Sequence, residues 1–284
     1  PVIRGLGYNR VMVMNNGISQ EGQQWGDEHG VEIDEYDIGS VEILKGPASL
    51  AFGSDALAGV INFLPPQTLP EGVIKGGILT NYQTNNGLFG NSVNMGGNKK
   101  GIIWDIRYSN KQAHAYQNKF DGYVFNSGFK ESNIAAILGI NRAWGYSHLN
   151  FSSFYLSPGI IEGERDAVSG QFVKPIALND STEDKVLAAN ADFKSYQSFI
   201  AFQKIHHYKL VVNNHFILGK NSLKATLGWQ QNQRQEYDNI LKPNEYGLFF
   251  FLISFNYSLK YNLEEQNNLN VSFSVNGLYQ NSQN

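Results

Sequence analysis

The chain has 284 residues, a formal net charge of -3 and no cysteine. That balance provides no basic face for nucleic acid, and the lack of thiols excludes a disulfide framework and a thiolate metal site. Charged residues are 17% of the chain, against about 25% in ordinary soluble domains. Aromatic residues reach 13% and asparagine numbers 32, a mixture that suits a protein meeting lipid on one side and water on the other. The longest apolar run, Leu248 to Ile253, is far shorter than the 18 or more residues of a membrane-crossing helix. Residence in a membrane would therefore need a closed barrel. The chain opens on Pro1-Val2-Ile3-Arg4 without a charged and then apolar leader, which predicts a processed or truncated N-terminus.

Residues 1–65 are punctuated by glycine. Short apolar runs at Val11 to Met14, Val41 to Leu44 and Gly59 to Leu64 predict strands of a small mixed domain. The stretch Ala48 to Ala58 suits a short helix and turns, and Pro65-Pro66 stops regular structure. Residues 67–70 read as a linker.

From Glu71 the pattern changes to long alternating segments. Leu223, Ala225, Leu227 and Trp229 alternate with Lys224, Thr226, Gly228 and Gln230. Phe251, Phe255, Tyr257 and Leu259 alternate with Ser254, Asn256, Ser258 and Lys260, and Phe273 and Val275 with Ser274 and Asn276. Period two sends alternate side chains to opposite faces of a strand, so the apolar set is expected to face lipid and the polar set a lumen. Nine such segments are expected near 72–83, 87–97, 101–112, 131–142, 146–157, 206–219, 222–236, 247–262 and 268–280. All reach or exceed the about 9–11 residues a membrane strand needs. With the first segment running outward, the periplasmic joins 98–100, 143–145, 220–221 and 263–267 are all short. The outer joins 113–130, 158–205 and 237–246 are longer, and only 84–86 is short. Outer-membrane barrels have this asymmetry, and a soluble sandwich has no reason for it. Tyr82, Trp144, Tyr146, Tyr261 and Tyr279 gather at segment ends, as an interfacial girdle would. An odd number of segments predicts further strands in the full protein.

Within residues 1–65 a series of motifs recurs in order: Ile3-Arg4-Gly5, Arg10-Val11, Asn16-Gly17, Val41-Glu42-Ile43-Leu44-Lys45-Gly46-Pro47-Ala48, Phe52-Gly53-Ser54 and Ala58-Gly59-Val60-Ile61-Asn62. Together they resemble the plug domain of TonB-dependent receptors. Asn16, Lys45, Phe52 and Ala58 stand where the family usually has Asp, Arg, Tyr and Gly. The resemblance implies a mainly β fold, with a plug inside a transmembrane antiparallel β-barrel that is present here in part. Residues 1–66 would be the C-terminal part of the plug, 67–70 a linker and 71–284 the N-terminal part of the barrel. It further implies a bacterial outer-membrane receptor, not an enzyme, which imports a scarce nutrient. A ferric siderophore or other iron complex is the expected cargo; zinc, copper or haem is the alternative. Its partners would be outer-membrane lipid and a TonB-type energy-coupling protein, engaged through a segment outside this chain, with no cofactor.

Arg4, Arg10, Glu42 and Lys45 are expected to meet the barrel lining in charge-assisted contacts. By the family pattern, Gly17 to Asp34 forms a plug apex, where Trp25, Asp27, Glu28, His29 and Asp34 are candidate substrate-binding residues. Glu32 lies among them. Imidazole with carboxylates can ligate zinc, copper or iron, so His29, Asp27 and Asp34 are candidate metal ligands. His206-His207 could serve a haem or metal site, but adjacent strand residues face opposite ways. A plugless porin or structural barrel would lack residues 3–62 as they stand. An enzyme would need an activated nucleophile; His148 and Ser152 share a strand face with no third member.

Overall fold

The structure is a computed structural model that describes residues 1–7, 10–22, 30–46, 49, 52–265 and 269–283. Its first part is a small mixed sheet. β1 (Val2–Ile3) and β2 (Leu6–Gly7) form an antiparallel ribbon. β3 (Val11–Asn15), β4 (Ile18–Ser19), β5 (Ser40–Leu44) and β6 (Gly59–Leu64) form a four-stranded sheet in the order β4-β3-β6-β5. β3 runs parallel to β6, and the other pairs are antiparallel. Asn16 and Gly17 turn β3 into β4 with φ of 58° and 84°, the positive pair that a two-residue hairpin turn requires. Met14, Ala56 and Val60 are the buried core of this part, closed by Met12, Leu44 and Phe52. Where the sequence predicts a short helix and turns, the described residues hold 3-10 structure, including a turn at Ser54–Ala56. Gly53 and Gly59, at φ of 96° and 145°, bracket it and stop it growing.

The second part is a wall of long strands. In chain order it comprises β7 (Ile74–Gln83), β8 (Leu88–Lys99), β9 (Ile102–Ala113), β10 (Gln117–Asn118), β11 (Gly122–Tyr123), β12 (Phe129–Arg142), β13 (Gly145–Pro158), β14 (Val173–Asn179), β15 (Thr182–Leu187), a helical turn α1 (Asn190–Phe193), β16 (Phe202–Leu218), β17 (Asn221–Tyr237), β18 (Leu248–Asn262) and β19 (Ser272–Gln283). Among the described residues, nine of these strands form one antiparallel sheet in the order β19-β18-β17-β16-β13-β12-β9-β8-β7. They are the nine expected segments, each displaced by a few residues at most. β16 starts four residues earlier than expected, because Phe202 stacks on Tyr237 of β17 at 4.8 Å and carries the ladder to its end. Lys100-Gly101 joins β8 to β9 at φ of 51° and 70°. The longer connections on the opposite edge are ordered. β10 pairs with β11 and β14 with β15, and Val124, Phe125 and Phe172 form a buried cluster with Ala188, Phe193 and Phe199. The Asn126 amide donates to the carbonyls of Ile160, Phe199 and Ala201, tying the loops to one another.

Alternation sorts the wall as expected. Leu227, Phe255, Tyr257, Leu259, Phe273 and Val275 lie exposed on the convex face. On the concave face Gln230 and Ser254 are buried, and a Cβ at Gly228 would lie 2.6 Å from Ile18 of the plug. The plug sits against this concave face. Asn213 donates to Asn16 at 3.0 Å, Gln230 to the Ser19 carbonyl at 2.8 Å and Gln280 to Glu21 at 2.7 Å.

Candidate functional site

The plug–wall junction is built by the segment that follows β4. Glu32 and Asp34 are buried there at 7% and 8% exposure, although both stand in an irregular polar stretch. A buried carboxylate is costly unless paired and hydrogen-bonded, and the wall supplies the partners. Arg234 of β17 meets Glu32 Oε1 at 2.8 Å, and His207 of β16 meets Oε2 at 3.0 Å. Asn232 also donates to Oε2. Gln20 donates to the Glu32 carbonyl at 3.0 Å and accepts from Lys209 at 3.3 Å. Gln203 holds the other end of the Arg234 guanidinium at 2.7 Å.

His207 is held on both ring nitrogens. Gln230 donates to the carbonyl of Ser19 and accepts from the amide of Glu21 at 3.3 Å, which fixes which end of its amide is oxygen. That oxygen lies 3.2 Å from His207 Nε2, while Nδ1 faces the Glu32 carboxylate. The amide nitrogens of Gln20 and Asn232 also approach Nδ1, at 3.1 Å and 3.3 Å. Burial pushes the Glu32 carboxyl up, but the hydrogen bond and charge of His207, with the charge of Arg234, outweigh it and hold Glu32 below the ordinary carboxylate range.

A second cluster lies along β9 and β12. Asp34 accepts from Ser109 Oγ at 2.7 Å and caps the amide of Tyr36 at 3.1 Å. Lys111 Nζ stands 3.8 Å from Asp34 and 2.7 Å from Glu131, and also bonds Glu35. The carboxylates of Asp34, Glu35 and Glu131 converge closely enough to hold an ion, but the Lys111 ammonium already lies among them and supplies the positive charge. Asp37 meets Arg107 at 3.6 Å. Burial pushes its carboxyl up to about 7, with the Arg107 guanidinium working against that rise.

Of the residues singled out from sequence, Trp25, Asp27, Glu28 and His29 lie outside the described residues. Asp34 is turned toward the wall, with its oxygens engaged as above. Arg4, Arg10 and Lys45 are exposed, and Glu42 accepts from Asn62 inside the plug at 3.2 Å. Described polar plug–wall contacts come from Asn16, Ser19, Gln20, Glu21, Glu32, Asp34, Glu35 and Asp37. His207 faces the plug, and His206 the opposite side beside Tyr155 at 4.7 Å, as adjacent strand residues must. Sequence reasoning passed over Lys111, Glu131, Lys209 and Arg234. Their signal was available: each is a charge at an inward position of an alternating strand. Beside the junction, a cavity of about 910 Å³ separates Met12, Met14 and Phe52 of the plug from Asn256, Lys260 and Gln280 of the wall.

The family model described as TonB-dependent Receptor Plug Domain matches residues 1–60. Among solved structures, the siderophore receptor PirA from Acinetobacter baumannii is similar at 16% identity and a TM-score of 0.64, over 99% of this chain and 41% of that one. A mutant of the ferric enterobactin receptor PfeA from Pseudomonas aeruginosa is similar at 12% identity and a TM-score of 0.62, over 96% of this chain and 41% of that one. The ferric yersiniabactin uptake receptor FyuA from Yersinia pestis gives 14% and 0.60, over 97% and 40%. The chain spans about two fifths of the length of these structures. At such identities the likeness speaks for the fold, while the family-model match speaks for residues 1–60. Residues 1–60 therefore match a TonB-dependent receptor plug domain, and the chain as a whole has the fold of plug and barrel strands found in these receptor structures.

Proposed function

We propose that the whole receptor actively imports a ferric siderophore or other iron complex. A plug seated by buried ion pairs beneath ordered outer loops supports this reading, because such a seat closes the lumen yet can be released. The receptor itself would hydrolyse nothing; a TonB-type protein, pulling through a segment outside this chain, would supply the work. Residues 1–66 would be plug, 67–70 linker and 71–284 wall. Trp25, Asp27, Glu28, His29 and Asp34 would border the cargo site at the plug apex. The siderophore cargo in the names of the similar structures supports iron chelate ahead of a bare ion. So does the setting of Asp34, whose oxygens already serve Ser109 and the Tyr36 amide.

The test is uptake by the full-length receptor in iron-limited cells, with radioactive iron as ferric siderophore and with free zinc and copper. The expected result is iron-chelate uptake that needs the coupling protein and falls in a Trp25→Ala/His29→Ala variant. Zinc or copper uptake lost in His29→Ala and Asp27→Ala, with chelate uptake intact, would replace this reading by the metal one.

A further inference from the structure

The concave face of the wall carries a second group of metal-ligating side chains, nearer the short joins than the Glu32 junction. There Tyr146 of β13 stands opposite His215 of β16, and His148 opposite Asn213. The three rings form a corner with Tyr146 at its apex. His148 follows two residues on along β13 and stacks on the phenol ring at 4.5 Å between centroids. His215 meets the same ring from across the ladder at 5.5 Å. All three are half-buried. They share the face of Asn213, which bonds Asn16 of the plug at 3.0 Å and Thr226 at 2.9 Å. The group therefore starts level with the β3–β4 turn and extends from it toward the short joins, inside the lumen.

The pose of His148 is set by β12, the other neighbour of β13. Its ring lies over Gly139, where an added Cβ would fall 2.5 Å from Cδ2 and 3.2 Å from Cγ. Nε2 reaches Asn141 Oδ1 at 2.7 Å. An oxygen accepts, so Nε2 carries the proton and the neutral ring keeps its lone pair on Nδ1. With Cδ2 and Nε2 committed to β12, Nδ1 lies on the edge of the ring turned away from it, toward β16. Among the described residues, nothing bonds Nδ1 of His148 or either ring nitrogen of His215. Ligating histidines are held in this way, one nitrogen donating to an oxygen and the other left for the metal. His148 and His215 are diagonal neighbours across the ladder, a separation that aromatic side chains span. Lys224 flanks His215 from β17. It is exposed, on a flexible stem that lets its ammonium swing away from an ion.

We propose that His148 and His215 bind a divalent transition metal ion, zinc, nickel or copper, inside the lumen, with Asn141 orienting the first imidazole. Imidazole nitrogen suits these ions. Two protein ligands leave the remaining coordination positions to water or the Tyr146 phenol, which makes the site open and exchangeable. It stands apart from the cargo apex proposed above and does not rest on that reading.

The experiment uses the tag-free full-length receptor in detergent with equimolar copper(II), and reads the nitrogen ligands by electron paramagnetic resonance. The natural protein should show hyperfine coupling to two imidazole nitrogens. His148→Phe and His215→Phe keep a ring beside Tyr146 but remove the donor. Each should lose one nitrogen from the spectrum and weaken copper binding by about tenfold or more against a competing chelator. Asn141→Leu should weaken binding by about tenfold with both nitrogens still coupled. His206→Ala, on the opposite face of β16, should change nothing. Heat-modifiable electrophoretic mobility checks folding, and glutamine replaces phenylalanine where that variant misfolds. An unchanged spectrum in either histidine variant, or a signal lost in His206→Ala, would overturn the proposal.

Discussion

At the scale of single residues, the junction depends on Glu32. Arg234→Met would leave its carboxylate to His207 and Asn232 alone. Losing one partner of a buried pair costs about 3–5 kcal/mol, and the low end is expected because His207 remains. Adding Glu32→Gln should recover part of the loss, which a double-mutant cycle in urea would read; strictly additive effects would contradict the coupling. Acid dependence has two opposing sources. Asp37 titrates near 7 in the folded protein against an ordinary 3.8. Its stabilising contribution is therefore full below about pH 4 and is lost as pH rises through about 7. Glu32 is depressed below its ordinary 4.5, so its contribution is present above that value and lost as pH falls through its folded pKa. Between pH 5 and 7.5 Asp37 therefore contributes a fall in plug stability as pH rises. Asp37→Asn should flatten that slope in urea midpoints; an unchanged slope would assign it to another group.

At the scale of elements, each strand owes its place to alternation. Phe255 is 50% exposed on the convex face, whereas Asn256 accepts from Gln230 on the concave one. A lipid-facing charge near the midplane costs about 2–4 kcal/mol. Phe255→Arg should therefore slow or block folding into vesicles, and Asn256→Arg should do so less, as read by heat-modifiable mobility. Equal effects would mean that the faces are reversed. Loops obey other rules. The 159–201 connection carries no period, yet it folds through Phe172, Phe193 and Phe199 against its neighbour. Those contacts join residues far apart in sequence, so no local pattern announced them.

At the scale of the whole molecule, plug and wall meet where side chains from both interlock. Ile18 lies against Gly228, where any added Cβ would fall within 3.2 Å of two of its carbons. Because the chain has no cysteine, Ile18→Cys with Gly228→Cys offers a clean lock. Oxidation should stop uptake by the full receptor and reductant should restore it; transport through a verified crosslink would show that this part of the plug does not move. The sequence by itself determined the nine wall strands, their faces, the short and long joins and the plug, because each rests on a local period or on a turn that Gly, Asn or Pro imposes. Tertiary structure alone decided which charges become partners. Glu32 and Arg234 stand 202 residues apart, and Asp34 and Lys111 belong to different parts of the fold. Burial is a property of the assembled junction: until the wall curves around the plug, Glu32 is one acid among several in a polar loop, and only the desolvation that assembly brings makes its pairing necessary.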